Sequence, residues 1–341
     1  MKGFVLLSGE SPEIGLAELE GAMKALGAGV DIESGDGQVV VLQEAPPEGL
    51  AGRLGFSHFS GWLDGVADLS LGSIIGEVSS SLDLLPSGDS VSWTVRSPGS
   101  SEGPPAREIF DAIDEVARGR GFLIRHREPD HRIFVNVSDR SYVGRIKEFS
   151  SRASAEARRG SRMPFNRPVI MDPRLARALV NLSGLPPGDS VLDPFLGPAG
   201  LAIEAADMGL KVLGVEKDPA IFRGALKNIE EMGLGDMIIA RNGDSKRFMS
   251  YEWSAELAPF DGIITDPPFG RSAATHGDET GKLLGDVLDE VSGLILKGGP
   301  LVVDAPSREH LLDIPDFELR KELSLRVHRS LTRHIGVLER K

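Results

Sequence analysis

No cysteine occurs among the 341 residues, which excludes disulfides and thiolate-held metal and fits a reducing cytoplasm. Long apolar runs are missing too. Met1-Lys2-Gly3-Phe4-Val5-Leu6-Leu7 is too short for a secretory leader, and charge returns at Glu10. No stretch nears the roughly 20 apolar residues of a membrane helix. Positive charge is scarce overall: the formal net charge of −13 argues against indiscriminate nucleic-acid binding, because phosphate attraction needs cations. Also absent are a Gly-x-Gly-x-x-Gly turn and a P-loop, so a dinucleotide or a nucleoside triphosphate is disfavoured. What remains, 40% apolar and 26% charged, is the composition of a globular protein long enough for two cores.

The average hides an asymmetry. Between Arg118 and Arg177, fifteen Lys or Arg residues face six acids, a net +9 that leaves −22 for the rest of the chain. Arginine dominates the patch, which favours forked phosphate contacts and stacking on bases. Arg145, Lys147, Arg152, Arg158, Arg159 and Arg162 are the expected nucleic-acid side.

Along the chain, residues 1–149 read as an α+β region of two small lobes. It has strands near Phe4–Leu7, Val39–Leu42 and Ser90–Arg96, a helix from Ser11 to Leu26 with Ser11 as cap, and a hairpin turning at Ser138–Ser141. Residues 150–167 lack sustained apolar periodicity and read as a basic linker. From residue 168 to 341 helix and buried strand alternate, the mark of a mostly parallel sheet covered on both faces. Seven strands fit this part, the last two forming an antiparallel hairpin at the sheet edge because no helix fits between them.

Asp266-Pro267-Pro268-Phe269-Gly270 follows the apolar run Phe260–Thr265 and reads as a strand leaving its sheet into a rigid turn. Asp266 and the Pro267 carbonyl offer two acceptors and Phe269 a stacking face, a set suited to a flat ring bearing an amine. Asp193, Glu216 and Asp244 fall at the ends of three preceding strands, where open α/β sheets bind ligands. Asp193 opens the turn Asp193-Pro194-Phe195-Leu196-Gly197-Pro198-Ala199-Gly200, whose glycines let a ligand approach the backbone. Glu216 can accept both ribose hydroxyls and Asp244 an adenine amine. An acidic turn repels pyrophosphate, so S-adenosylmethionine, a nucleoside without phosphate, is the expected cofactor. Phe195, Gly197, Gly200, Lys217, Ser245 and Met171 complete the expected cofactor side.

These residues resemble class I, Rossmann-like methyltransferases of the amino-methylating branch, marked by Asp/Asn-Pro-Pro-Tyr/Phe. The resemblance is closer to the archaeal tRNA guanine-10 N2-methyltransferases, whose motif commonly continues as Asp-Pro-Pro-Tyr-Gly-Arg-Ser. Here it is Asp266-Pro267-Pro268-Phe269-Gly270-Arg271-Ser272. Arg162-Met163-Pro164-Phe165-Asn166-Arg167-Pro168 and Met171 resemble the family's approach to the catalytic domain. Glu128-Pro129-Asp130, Ile133–Val137 and Tyr142-Val143-Gly144 look like the end of a THUMP RNA-binding domain, preceded by a ferredoxin-like lobe. The resemblance implies methyl transfer to guanine N2 in tRNA, with Asp266, Pro267 and Phe269 catalytic, Arg271 on the RNA side, no metal, and a monomer. Eukaryotic relatives use a small partner protein, but nothing in the sequence marks a docking surface for one. The motif equally admits another guanine or an adenine N6, and a catalytically silent RNA-binding protein is the alternative outside catalysis. Gly197-Pro198-Ala199-Gly200 departs from the family's Cys-Gly-Thr-Gly-Gly turn, and the Ala199 methyl is expected to narrow the cofactor cleft.

Overall fold

The computed structural model describes residues 1–33, 38–97, 102–166, 171–254, 259–268, 277–305, 307–312, 314–328 and 331–341; Arg167, Pro168, Phe269, Gly270, Arg271 and Ser272 lie outside them. The chain builds two compact units, neither of them one continuous stretch. The first comprises Met1–Gly9, Val30–Gly52 and Ser57–Ser150, the second Glu10–Gly29, Arg53–Phe56 and Ser151–Lys341.

In the first unit, β1 (Gly3–Leu7), β2 (Ile32–Glu33), β3 (Val39–Leu42), β4 (Ser57–Ala67), β5 (Ser90–Arg96), β6 (Leu123–Ile124), β7 (His131–Val137) and β8 (Ser141–Phe149) form one sheet. Their order is β2-β3-β1-β4-β8-β7-β5-β6. Where the sequence suggests two small lobes, the strands are continuous, because β4 pairs with β1 on one side and β8 on the other. Alternation along β7 sends Ile133 and Val135 to one face and Phe134 to the other. On the first face they pack with Trp93 and with Ile109, Ile113 and Ala117, which recur every fourth residue along an α-helix, Ala106–Gly119. On the second, the Phe134 ring stacks on Phe4 with centroids 5.0 Å apart.

In the second unit, β9 (Ser190–Asp193), β10 (Lys211–Glu216), β11 (Ile238–Asn242), β12 (Gly262–Thr265), β13 (Pro300–Ala305), β14 (Phe317–His328) and β15 (Leu331–Arg340) follow the order β11-β10-β9-β12-β13-β15-β14. The first five in that order are parallel, and β15 runs antiparallel to both its neighbours. The chain thus holds two mixed sheets, of eight and seven strands; the second has the mostly parallel order expected, with the antiparallel hairpin at its edge, and the N-terminal region forms a sheet of its own. Apolar side chains fill both faces: Val191 and Val302 enter one core, Leu192, Leu301 and Val303 the other.

Helix α1 (Pro12–Ala25) lies early in the chain yet belongs to this second unit. It packs on a helix that Asp172 caps, Pro173–Leu182, so closely that a Cβ on Gly21 would sit 2.0 Å from the Asn181 carbonyl oxygen. Glu18 is buried beside it and accepts from the Gly55 and Phe56 amides, at 2.6 and 2.8 Å, and from Asn181 Nδ2 at 3.0 Å. Burial pushes its carboxyl up to about 7 against those three donors. Ser11 does not cap α1, since its hydroxyl donates to the Glu10 carbonyl instead.

The basic stretch after Ser150 is not bare linker: Arg152–Ala157 is helical, and Gly160–Arg162 forms a 3-10 turn. Arg158, expected on the nucleic-acid side, is 8% exposed. Its guanidinium forks onto Glu204 at 2.6 and 2.9 Å, while Arg177 donates to the same carboxylate at 2.7 Å and to Asp207 at 2.6 Å. A guanidinium so enclosed cannot reach a phosphate, and that expectation is corrected.

Candidate active site

The parallel strands all point their carboxyl ends at one rim, and the order β11-β10-β9-β12 sets Asp244, Glu216, Asp193 and Asp266 on successive strand ends. Hydrogen bonds between strand ends fix that rim. The Gly197 amide donates to Glu216 Oε2 at 3.0 Å, Ser245 Oγ to the Pro194 carbonyl at 2.7 Å, and Thr265 Oγ1 to Asp193 Oδ1 at 2.8 Å. Gly243 and Asn242 bind the Glu216 carbonyl at 3.1 and 2.7 Å.

Asp193 is 2% exposed, and burial pushes its carboxyl up to about 7, with Asp266 and Glu216 adding like-charge repulsion. The Thr265 hydroxyl and the Phe195 amide both donate to its Oδ1. Glu216 Oε2 accepts the Gly197 amide and Oε1 the Asp218 amide, and the Lys217 amide also favours the ionised carboxylate. Burial raises this group as well. Asp244 is instead held low by the hydrogen bond from Lys217, which pairs with it at 2.7 Å. The Asp244 amide donates to the Tyr251 hydroxyl at 2.8 Å, and that ring stacks on Trp253.

Gly197 adopts φ +53°, a backbone that a side chain resists, and Gly200 opens the helix Gly200–Asp207. Ala199 also lies in the left-handed region, at φ +71°, a conformation that costs an L-residue roughly 1–2 kcal/mol. Its methyl is fully buried in the apolar core beside Leu196 and Met171, so it does not narrow a cleft. Met171 likewise packs in that core.

Asp266 follows β12 directly, Pro267 is buried and Pro268 is exposed. Its carboxylate, one-fifth exposed, receives Arg333 Nη1 on Oδ1 at 3.1 Å. The same nitrogen contacts Asp304 Oδ2. Burial raises Asp266 while Arg333 pulls it down. Asp304, wholly buried, is raised by burial and by Asp266. Arg333 itself stays charged because the two acids outweigh its desolvation. Neither Arg333 nor Asp304 is visible as a site residue in the sequence, since only the register of β13 against β15, Asp304 opposite Ile335, brings them to Asp266.

On the expected nucleic-acid side, Arg145 is committed to a fork on Asp64, at 2.9 to 3.2 Å, and is 16% exposed, which corrects its assignment to phosphate. Lys147 binds the Pro46 carbonyl at 3.1 Å. Arg152, Arg159 and Arg162 keep 35%, 47% and 58% of their side chains open, in partial ion pairs with Glu10, Glu156 and Asp172. Arg271 and Phe269 lie outside the described residues. Among the described residues no cluster of His, Cys, Asp or Glu is arranged to hold a metal, and no helix is long and apolar enough to cross a membrane.

This donor set fits S-adenosylmethionine: acceptors for a diol and an amine, no phosphate cradle, and an acidic rim that favours a sulfonium cation. A family model described as an RMKL-like methyltransferase domain matches residues 159–335. The crystal structure of TrmN from Thermus thermophilus superposes with a TM-score of 0.62 at 23% identity, covering all of both chains. A putative methyltransferase, SMU.472, crystallised with SAH, gives 0.57 at 14% identity over 99% of this chain and 98% of that one. Both show the Rossmann-like fold. A tRNA (guanine(10)-N2)-dimethyltransferase of Pyrococcus abyssi is 32% identical over 68% of this chain and 69% of its own length. The enzyme so named from Methanothermobacter thermautotrophicus is 32% identical over the whole of both chains, and this chain belongs to the tRNA (guanine(10)-N2)-dimethyltransferase family.

Proposed function

We propose that the second unit transfers methyl from S-adenosylmethionine to the exocyclic N2 of guanine 10 in tRNA, with Asp266 and the Pro267 carbonyl holding the amine. The observation that supports this reading is the carboxylate of Asp266 at the open end of β12, one oxygen taken by Arg333, on the same rim as Asp193, Glu216 and Asp244. Bound there, S-adenosylmethionine supplies an electrophilic methyl. Glu216 would accept the ribose hydroxyls, and Asp244 with Ser245 would border the adenine.

The guanine must leave its stack to reach Asp266, which costs a few kcal/mol. Phe269 is proposed to offset that by stacking. The amine lone pair is delocalised into the ring, so two acceptors on its hydrogens turn it toward the reacting carbon. Positioning and fixed charge then supply most of the acceleration. The proton released passes to Asp266 or to water. After one methylation a single N–H remains, so one of the two acceptors holds the amine for a second transfer and the other has no hydrogen to accept.

The eight-stranded unit reads as the THUMP-type RNA-binding module, on the strength of the resemblance around Glu128–Gly144. The basic segment after Ser150 reads as further RNA surface through its open arginines. Changing Arg159 and Arg162 together to Glu lowers tRNA affinity at least about tenfold and flattens the dependence on salt by roughly one to two in slope. Filter binding between 50 and 200 mM salt measures both; unaltered affinity would place the RNA elsewhere. The reading as a whole is tested with unmodified tRNA transcripts and labelled methyl donor, followed by nucleoside analysis and mapping. Label in guanine 10 as mono- or dimethylated N2 supports it; label in adenine, in another guanine, or in none refutes it.

A further inference from the structure

We propose that Arg333 is the positioning residue of the methyl transfer: clamped by Asp304, its guanidinium occupies one oxygen of Asp266 and leaves the other to the substrate amine. This rests on the reading of Asp266 as the amine acceptor. Asp266 has one described cation beside it, Arg333 from β15, and two acids, Asp304 from β13 and Asp193 from β9. Without Arg333 the two neighbouring acids would oppose its ionisation, and a protonated Asp266 presents a donor where the amine needs an acceptor.

Asp304 is placed to serve the arginine rather than the substrate. It is 0% exposed, and its Oδ2 meets the very nitrogen that reaches Asp266, while its Oδ1 has no hydrogen-bond partner among the described residues. A carboxylate buried with one oxygen unmatched is expensive, and its one evident partner is the guanidinium it orients. The direction of Nη1 toward Asp266, and hence which oxygen stays open, is set by that contact. Lysine offers a point charge without the planar fork, so it restores the charge but not the aim.

Arg333→Met is expected to lower kcat for unmodified tRNA transcript about a hundredfold at pH 7, with the KM for S-adenosylmethionine and for tRNA changed less than about threefold. The acid limb of its kcat profile moves up by one pH unit or more, because Asp266 now ionises later. Arg333→Lys restores the position of the limb but recovers only part of kcat. Asp304→Asn does not move the limb up, since it removes an acid beside Asp266, and it lowers kcat, since the arginine is less firmly aimed. Circular dichroism and urea midpoints accompany each variant, and the pH profile is read from whatever folded fraction remains. An unmoved acid limb in Arg333→Met, or a change confined to KM, overturns the assignment of Arg333 while Asp266 keeps its role. Full turnover in an Asp266 variant overturns both.

Discussion

Replacing Asp266 by alanine lowers the rate of methyl transfer at least about a thousandfold while binding of S-adenosylmethionine changes by less than about threefold. The size follows from removing a fixed acceptor aimed at developing charge, which alone is worth roughly 10² to 10³ in rate. Loss of the amine's orientation adds to it. The fold should tolerate the change, because Arg333 still pairs with Asp304 and the buried charges stay matched. Asparagine, although isosteric, should be nearly as poor. Its carbonyl is drawn to Arg333, which turns the amide nitrogen, a donor, toward the substrate amine. Single-turnover transfer to a tRNA transcript and calorimetric titration of the cofactor separate the two effects. Substantial turnover in the alanine variant would remove Asp266 from the chemistry.

Glu204→Ala destabilises the protein by about 3–5 kcal/mol, the loss typical of stranding buried charge. Glu204 is 1% exposed and receives both Arg158 and Arg177, whose side chains are 7% and 5% exposed. Without it the ion-pair acid that both guanidiniums still reach among the described residues is Asp207, which is 37% open. Most of the loss is therefore uncompensated charge rather than missing volume. The double variant Arg158→Met with Glu204→Leu, apolar at both positions, should regain more than half of the stability, because a buried pair contributes little beyond what its isosteres supply. Urea denaturation followed by circular dichroism gives both values. Equal losses in the single and double variants would mean that packing, not charge, is what Glu204 provides.

The alternation of helix and buried strand after residue 168 was legible because β9 to β12 are only four to six residues long and each ends on, or within two residues of, an acid. That made Asp193, Glu216, Asp244 and Asp266 readable as one rim. Charge counting did worse. Arg145 and Arg158 lie in the basic window, yet their acids come from 81 and 46 residues away, where no local count can find them. Arg333 stands 67 residues from Asp266, and its arrival depends on which strand β15 pairs with, a partner that no local pattern names. Ala199 could be seen as a departure from glycine, but not that its methyl points into the core. The two apparent lobes of the N-terminal region merge because β4, 11 residues long, pairs along both edges, a fact carried by partners rather than by the strand itself.

Glu18 and Asn181 meet across 163 residues, so the ribosome delivers α1 on the order of ten to thirty seconds before the helix it lies against. Through that interval Ile14, Leu19, Ala22 and Met23, all buried in the finished protein, face the solvent. A nascent-chain holdase would find its target there. For the same reason a fragment cut at Ser151 should aggregate unless residues 10–29 are returned to it as a separate peptide.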